Sequence, residues 1–496
     1  MESRNKETAS SSPHFVLIPL MAQGHMIPMV DMATLFASRG VLTSVITTPA
    51  NASRFRAAVD HASDAGLPIR LVELPFPCRE AGLPDGCENL DTLASKELIP
   101  NFFNATAMLR PAVDQYLSTL QPPASCIVSD MGLPWTSKTA GQLGIPRLLF
   151  HGTCCFTLLC MLKLRQSGVI SDAVSDHEPF TVPGVPHRIE VTKAQLPSNF
   201  SMKSSMQGLR DEILESEASA FGVVVNSFQD LEHGYDEMYQ EALGKKAWTV
   251  GPMFLINRAE SGKVERGNKA LISAIDENVR CLGWLEEMMP RSVLYVSFGS
   301  LARFSTQQLV EIGLGLEASN HPFIWVIRAG DRAAEVESWL SEEGFEERTR
   351  GRCLIIRGWA PQVLILSHPS VGGFLTHCGW NSTLEGISAG LPMITWPLFA
   401  DQFLNEKLVL EILQVGVGLG IKSPSVWQEE EKSRAPVKKE EVQKAVERLM
   451  DPDEEGEERR NRAKELEEKA KGAMEEGGSS CMSMSLLIEE VINYSK

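Results

Sequence analysis

The stretch WAPQVLILSHPSVGGFLTHCGWNSTLEGISAGLPMITWPLFADQ, residues 359–402, is the most informative part of this sequence for fold and function. Near its middle the apolar run VGGFLTH ends in HCGWNS, and the following STLEGISAG has a helical pattern. This order predicts a buried strand, a glycine-containing turn and a helix N-terminus, which attracts negative charge through its N–H groups and dipole. With His377 at the strand end and Asn381 and Ser382 in the turn, the segment predicts a site for an anionic phosphate.

The remainder of the segment suits a nucleotide sugar built around that phosphate. Trp359 offers a flat face for a base, and Glu385, expected in the first helical turn, can accept hydrogen bonds from two ribose hydroxyls. Repulsion from the phosphates argues against Glu385 as a phosphate ligand. After the next apolar run come Asp401 and Gln402, a carboxylate and an amide suited to sugar hydroxyls. In an open α/β sheet, ligands bind beyond the carboxyl ends of the strands, where these residues are expected.

The 359–402 segment resembles the signature of the plant secondary-product (family 1) UDP-glycosyltransferases, from its first Trp to its last Gln. The resemblance implies an α/β protein of the GT-B fold, in which two Rossmann-like, doubly wound parallel-sheet domains face a cleft. It also implies that Trp359 stacks on uracil, that Gln362 helps to hold the nucleoside and that Glu385 binds the ribose.

The resemblance assigns the other end of the donor as well. It implies that the diphosphate is bound by His377, Asn381 and Ser382, and that the sugar is contacted by Trp380, Asp401 and Gln402. In that family a terminal Gln usually accompanies glucose and a His galactose, so UDP-glucose is the expected co-substrate. The full expected donor site is Ser300, Trp359, Ala360, Gln362, His377, Gly379, Trp380, Asn381, Ser382, Glu385, Asp401 and Gln402.

Length, charge and cysteine content exclude several other classes of protein. A chain of 496 residues is too long for one core and predicts two domains of roughly 200 residues or more. The net charge of −17 argues against a nucleic-acid partner, because phosphate backbones require a basic surface. The ten cysteines lack the short paired spacings of a disulfide framework, and no C-x-x-C or H-E-x-x-H metal motif occurs.

No run of about 20 apolar residues occurs, so the sequence predicts no membrane insertion. The polar N-terminus and the short apolar run FVLIPL do not match a signal peptide, and a cytoplasmic enzyme is expected. Its expected partners are a UDP-sugar and a small-molecule acceptor, and it is expected to act as a monomer.

Alternating apolar runs and helical patterns predict a parallel doubly wound sheet in each half of the chain. Within these halves we expect one long helix over 91–120, an irregular segment over 170–220 with a helix near 205–220, and a polar loop over 423–435. The last helix is expected, from the resemblance, to pack back on the first domain. The predicted organisation is an acceptor-binding domain at 1–253, a linker at 254–284, a UDP-sugar-binding domain at 285–478 and the C-terminal helix at 479–496.

His25 and Asp130 are the candidate catalytic pair. The sequence places His25 in the turn after the first strand, before a helix led by Pro28, and Asp130 at the end of the fourth strand. Taken alone, His25 could be a polar turn residue, and Asp130 could cap a helix that starts near Leu133. The motifs G-H-M-I-P and S-D, however, match the places where the resembled family keeps its catalytic His and the Asp partner.

A histidine base supported by a carboxylate would deprotonate an acceptor hydroxyl as it attacks the anomeric carbon. Attack opposite UDP would invert an α-linked donor to a β-glucoside. The leaving diphosphate can be stabilised by the helix N-terminus, His377 and the Ser300 turn, so no metal or other cofactor is expected. A D-x-D pattern at Asp451 and Asp453 lies in an acidic stretch after a helix, and we reject it as a metal site.

Five weaker signals have less specific interpretations. Ser300 could lie near the diphosphate or be a structural turn serine. Thr153 could contact the sugar or pack in the interior. Gly313-Leu-Gly315-Leu-Glu-Ala318 formally matches G-x-G-x-x-A, but it lies in a helical pattern and does not follow a strand, so it is not a dinucleotide fingerprint. Trp339 and Trp427 lie in polar segments and have no assigned role.

The predicted reaction is glucosylation of a small lipophilic alcohol or phenol, such as a flavonoid, a triterpenoid or steroid aglycone, a coumarin or a cytokinin. Its pocket is expected around 80–105, 150–165 and 185–210. The same sites could use another UDP-sugar or form an N-, S- or C-glycoside. More remote alternatives are an NAD(P)-dependent oxidoreductase, disfavoured by the missing glycine fingerprint, and a non-catalytic nucleotide-sugar binder.

Overall fold

Two parallel β-sheets, each covered by helices, form the framework of the protein, as expected for the GT-B fold. The computed structural model describes residues 12–172, 175–197, 206–232, 234–256, 271–327, 333–425 and 436–494. The expected α/β class and the two doubly wound sheets are confirmed.

The first sheet has seven strands in the order β3-β2-β1-β4-β5-β8-β9. Between β5 and β8 in the sequence, β6 and β7 form a separate two-stranded antiparallel hairpin. Its strands are β1 (His14–Ile18), β2 (Leu42–Thr47), β3 (Ile69–Glu73), β4 (Cys126–Asp130), β5 (Arg147–His151), β8 (Gly222–Val225) and β9 (Ala247–Thr249), and the hairpin is β6 (Pro179–Thr181) and β7 (Glu190–Thr192).

The second sheet has six strands in the order β12-β11-β10-β13-β14-β15. These are β10 (Val293–Ser297), β11 (Phe323–Ile327), β12 (Cys353–Arg357), β13 (Val371–Thr376), β14 (Met393–Thr395) and β15 (Gly416–Gly418).

The α-helices cover both sheets. In the first half they are α1 (Gln23–Ser38), α2 (Pro49–Ala52), α3 (Arg56–Asp64), α4 (Ile99–Met108), α5 (Arg110–Thr119), α6 (Thr136–Leu143), α7 (Cys155–Ser167), α8 (Val169–Asp172), α9 (Gln207–Ala218), α10 (Gln229–Glu232) and α11 (Tyr235–Leu243). In the second half they are α12 (Leu271–Glu286), α13 (Thr306–Ala318), α14 (Ala333–Ser341), α15 (Phe345–Arg348), α16 (Gln362–Leu366), α17 (Trp380–Ser388), α18 (Gln402–Lys407), α19 (Lys439–Met450), α20 (Glu454–Met474) and α21 (Ser479–Tyr494).

The order of the strands reverses at one point in each sheet. In the first sheet β1 lies between β2 and β4, and in the second β10 lies between β11 and β13. Connections that leave two neighbouring strands toward opposite sides open a crevice at their carboxyl ends, where ligands bind. The segments after β1, β4, β10 and β13 therefore meet at the two crevices.

Two local predictions need correction. The single helix expected over 91–120 is two helices, because α4 ends at Met108 and Pro111 lies in the first turn of α5. The latter part of the predicted 254–284 linker forms helix α12, and the domain boundaries stay a prediction. The segment expected to be irregular contains the β6-β7 hairpin. Most of the polar loop predicted at 423–435, including Trp427, lies outside the described residues.

The last helix, α21, packs on the first domain. Its apolar residues Met484, Leu487 and Val491 belong to the same buried cluster as β1 and β4. The Ser480 hydroxyl donates to the Gly251 carbonyl at 2.5 Å, and Lys246 and Glu490 form an ion pair at 2.6 Å. Within the described part of the chain, no helix is both long and apolar enough for a membrane crossing.

Packing explains the weaker sequence motifs of the second half. A Cβ at Gly313 would lie 2.4 Å from the Trp339 ring, so this glycine makes room for the buried tryptophan. A Cβ at Gly315 would lie 2.6 Å from Val442 of α19. The glycines thus permit close packing of α13 and form no nucleotide loop. Asp453 caps α20 by accepting from the Gly456 N–H at 2.7 Å.

Candidate active site

His25 and Asp130 are in direct contact at the carboxyl edge of the first sheet. Nδ1 of His25 lies 2.8 Å from Oδ2 of Asp130, and Oδ1 of the same carboxylate accepts the Gly132 N–H at 2.8 Å. The structure corrects the local setting of the histidine: α1 begins at Gln23, so His25 is its third residue and Pro28 lies inside the helix.

The environment of this pair favours a basic imidazole. Asp130 is fully buried, whereas 35% of the His25 side chain is exposed. Burial lowers the pKa of His25, but the charge and hydrogen bond of Asp130 outweigh this effect and raise the pKa above its ordinary value. The negative charge of Asp401, from the second domain, acts in the same direction. Asp130 thereby holds the proton on Nδ1 and leaves Nε2 free to accept one.

The segment after β13 forms the expected turn and helix N-terminus. Gly379 precedes α17, which begins at Trp380, and the His377 ring lies between two glycines. A Cβ would lie 2.6 Å from this ring at Gly299 and 2.3 Å from it at Gly379. Burial lowers the pKa of His377 to about 4, so the ring is neutral at pH 7. Because α17 starts two residues earlier than predicted, Glu385 lies in its second turn and not in its first.

Gln362, Ser382 and Glu385 form a connected group beside this turn. The Gln362 amide donates to the Ser382 hydroxyl at 2.9 Å and to Oε2 of Glu385 at 2.7 Å. Trp359 is 39% exposed, which leaves its ring accessible for stacking on a base, while its neighbour Ala360 is buried. Of the residues expected at the nucleoside end, Gln362 and Glu385 are therefore in direct contact.

At the expected sugar end, part of the Gln402 amide is used within the protein. The side-chain oxygen of Gln402 accepts the backbone N–H groups of Leu398 and Phe399 at 2.8 and 3.0 Å. That oxygen holds the loop, which leaves the NH₂ of Gln402 as the group available to a sugar hydroxyl. Asp401 accepts from the Asn405 amide at 2.9 Å, and burial raises the pKa of its carboxyl group.

Asn405 is a functional candidate that the sequence interpretation missed. It is fully buried, and its NH₂ donates to Asp401 and to the Cys378 carbonyl at 3.0 Å. Its oxygen accepts from the Thr157 hydroxyl of α7, in the first domain, at 2.8 Å. Thr153 lies within reach of the same oxygen, at 3.4 Å. The i, i+4 spacing of Asp401 and Asn405 on one helix was the available signal.

Two further hydrogen bonds cross the cleft from the start of α17. The Trp380 ring N–H donates to the Asn226 carbonyl at 2.7 Å, and the Asn381 amide donates to the Gly24 carbonyl, also at 2.7 Å. Trp380 is almost completely buried, so its indole N–H is used in joining the domains. The N-terminus of α17 and the first turn of α1 therefore face each other directly.

Ser300 follows Gly299 in the turn after β10 and is half-buried. Because β10 and β13 are paired up to Ser297 and Thr376, this turn lies beside His377. Among the residues that the structure describes, no three or more His, Cys, Asp or Glu side chains are arranged to hold a metal ion.

Together these features define a class of protein. Two facing Rossmann-like domains carry a histidine–aspartate pair on one side and a helix N-terminus with neutral polar groups and a stacking tryptophan on the other. This is the architecture of a glycosyltransferase that uses a nucleotide sugar, and comparison with known proteins gives the family.

Residues 285–422 match the family model described as UDP-glucoronosyl and UDP-glucosyl transferase, and residues 12–255 match the glycosyltransferase N-terminal domain. UDP-glycosyltransferase 73C5 of Arabidopsis thaliana is 51% identical to this chain over 99% of both sequences.

Solved structures give the same result. That of Glycyrrhiza uralensis UGT73P12, complexed with glycyrrhetinic acid 3-O-monoglucuronide, has a TM-score of 0.90 at 38% identity and covers 98% of this chain and 96% of the other. That of Phytolacca americana UGT2, complexed with UDP-2fluoro-glucose and pterostilbene, has a TM-score of 0.75 at 28% identity and covers 97% and 99%. The chain belongs to the plant UDP-glycosyltransferases, and it is a UDP-sugar-dependent glycosyltransferase.

Proposed function

We propose that the protein transfers glucose from UDP-glucose to a hydroxyl of a small lipophilic plant metabolite, with inversion at the anomeric carbon. His25 acts as the general base and Asp130 as its partner. The main support is the 2.8 Å contact between His25 Nδ1 and the fully buried Asp130. His25 lies in the first turn of α1, which faces the N-terminus of α17.

The base assignment follows from the ionic state of the pair. Since Asp130 accepts the Nδ1 proton, Nε2 carries the lone pair that takes the acceptor's hydroxyl proton. As the acceptor oxygen bonds to the anomeric carbon, the bond from that carbon to the diphosphate oxygen breaks. The proton ends on His25, whose positive charge Asp130 stabilises, and UDP leaves on the opposite face.

The leaving diphosphate gains negative charge as that bond breaks. The free N–H groups at the start of α17, the Ser382 hydroxyl and the neutral His377 ring are groups that can donate to it. The uracil is proposed to stack on exposed Trp359, and the ribose to bind Glu385. Gln362 holds the Glu385 carboxylate in place at 2.7 Å.

Glucose is proposed as the sugar because the signature segment ends in Gln402, and in the resembled family a terminal Gln usually accompanies glucose. Asp401 and the NH₂ of Gln402 would offer its hydroxyls one acceptor and one donor group. The complex of Phytolacca americana UGT2 with UDP-2fluoro-glucose and pterostilbene supports a glucose donor and a lipophilic phenolic acceptor in this fold. All ten cysteines are free thiols, which suits the proposed cytoplasmic location.

The test is product formation followed by mass spectrometry. Purified protein is incubated with UDP-glucose, UDP-galactose or UDP-glucuronate and a panel of flavonols, glycyrrhetinic acid, steroid aglycones, coumarins and zeatin. A gain of one hexose with UDP-glucose alone, as a β-anomer by NMR coupling, is expected. Transfer from UDP-glucuronate or UDP-galactose instead would overturn the donor assignment, and an α-product would overturn the inverting mechanism.

A further inference from the structure

The first turn of α1 has an unusual feature beside the catalytic histidine. In an α-helix the carbonyl of residue 24 would accept from the N–H of residue 28, but residue 28 is proline and has no N–H. The proline ring also crowds that carbonyl and turns it outward. The Gly24 carbonyl instead accepts from the side-chain amide of Asn381, in the second domain, at 2.7 Å.

This hydrogen bond acts on His25 itself. The Gly24 carbonyl belongs to the peptide unit that joins residues 24 and 25, so holding it fixes the backbone of the histidine. The imidazole is held at its other end by Asp130, from β4. The base is therefore fixed at two points, one supplied by each domain.

The Asn381 amide can donate to a bound donor and to the Gly24 carbonyl at the same time. Its NH₂ has two hydrogens, and only one is used by the Gly24 carbonyl. Asn381 is the second residue of α17, so its amide belongs to the helix N-terminus where the diphosphate is proposed to bind, and its second hydrogen can serve that ligand. One planar amide thus joins the donor site to the backbone of the base.

We propose that Asn381 is a positioning residue that ties the first turn of α1 to the donor-binding domain, so that His25 takes its working position when UDP-sugar is bound. This inference rests on the proposed base mechanism. The role differs from that of a simple phosphate ligand, because the group through which Asn381 acts is the carbonyl next to the base.

Asn381→Ala is the primary test. Misplacement of a catalytic group by about 1 Å can cost on the order of 10²-fold in rate, so we expect kcat to fall by about that factor. UDP affinity by calorimetry should change by less than about 10-fold, since the N–H groups of α17 remain. The matched control is Ser382→Ala, the next residue of α17, which bonds Gln362 and should mainly raise the KM for the donor. Unchanged kcat in Asn381→Ala, or a loss confined to UDP binding, would overturn the proposal.

Pro28→Ala separates local stability from positioning. In the double variant Asn381→Ala/Pro28→Ala, the new N–H of residue 28 can pair with the Gly24 carbonyl inside α1. The melting temperature should recover part of the loss seen in Asn381→Ala, whereas kcat should stay low because the link to the second domain is still missing. Full recovery of kcat would show that only the stiffness of α1 matters and would overturn the proposal.

A readout independent of turnover keeps this inference separate from the proposed function. Hydrogen exchange of peptides that cover residues 22–30 should slow when UDP binds the wild-type protein and should not slow in Asn381→Ala. If the wild type transfers no glucose to any acceptor and yet shows this protection, the proposed glucosyl transfer fails while the positioning role of Asn381 stands. Equal slowing of hydrogen exchange by UDP in both proteins would overturn the positioning role of Asn381.

Discussion

Replacement of Asp130 by asparagine removes the charge that supports the base while keeping its shape. A carboxylate in contact with an imidazolium stabilises the charged form by roughly 1.4 to 4 kcal/mol. Because 35% of the His25 side chain is exposed, solvent screening favours the lower part of this range, about 1.4 to 3 kcal/mol. Loss of this stabilisation in the transition state alone predicts a decrease of about 10- to 150-fold in kcat.

The Gly132 N–H adds a second effect. It donates to Oδ1 of residue 130 at 2.8 Å, so an asparagine amide must direct its oxygen toward Gly132 and its NH₂ toward His25. The NH₂ would then donate to Nδ1 and place the imidazole proton on Nε2, the nitrogen that must accept the substrate proton. The two effects together predict a loss of about 10²- to 10⁴-fold in kcat.

The assay is steady-state glucosyl transfer by Asp130→Asn, with UDP affinity from calorimetry to confirm that the donor site is intact. Asp114→Asn is the matched control, since it makes the same change at a carboxylate that bonds Thr139 and Arg110. It should leave kcat near the wild-type value. A kcat for Asp130→Asn within threefold of wild type would refute the assigned tautomer and the role of the charge.

Three other predictions concern pH and the donor site. Because Asp130 raises the pKa of His25 above its ordinary value of 6.5 and the base must be neutral, kcat/KM should fall as the pH drops through that raised pKa. A decrease in kcat/KM with its midpoint below pH 6.5 would contradict this. Glu385→Ala should raise the KM for UDP-glucose roughly 10- to 150-fold, from the loss of about 1.5 to 3 kcal/mol of charged hydrogen bonding, and an unchanged KM would remove Glu385 from the ribose. Gly299→Ala should weaken UDP binding at least about 10-fold, because its Cβ would lie 2.6 Å from the His377 ring. Gly351→Ala is the control, because both glycines have a positive φ, +74° at Gly299 and +83° at Gly351, but a Cβ at Gly351 would have no atom within 4 Å. The control therefore tests backbone strain alone. An equal effect of the two changes on UDP binding would argue against the ring contact.

Much of each domain could be predicted because its strands are buried on both faces. Such strands are short continuous apolar runs, and β1, β4, β10 and β13 were each recognisable in this way. Helix starts also carry a local signal of a kind that sequence can show: α13 follows Ser305, whose hydroxyl accepts from the Gln308 N–H at 3.2 Å. Once the strands are known, parallel topology brings residues after their carboxyl ends to one edge.

The contacts across the cleft could not be predicted, because they depend on how two separately folded sheets are placed. Asn381 and Gly24 are 357 positions apart, and nothing in either local pattern indicates the other. The same holds for the hydrogen bond from Trp380 to the Asn226 carbonyl. Gln402 was recognised from its place in the segment, but its oxygen is used by a loop whose path no periodicity describes.

The most direct test of the catalytic account is His25→Ala, with turnover of UDP-glucose and UDP affinity measured on the same preparation. Transfer is expected to fall by about 10²- to 10⁴-fold, the contribution of a general base. UDP binding should remain within about threefold, because the donor groups lie on the other domain. Turnover near the wild-type rate, with UDP binding intact, would contradict the assignment of His25 as the base.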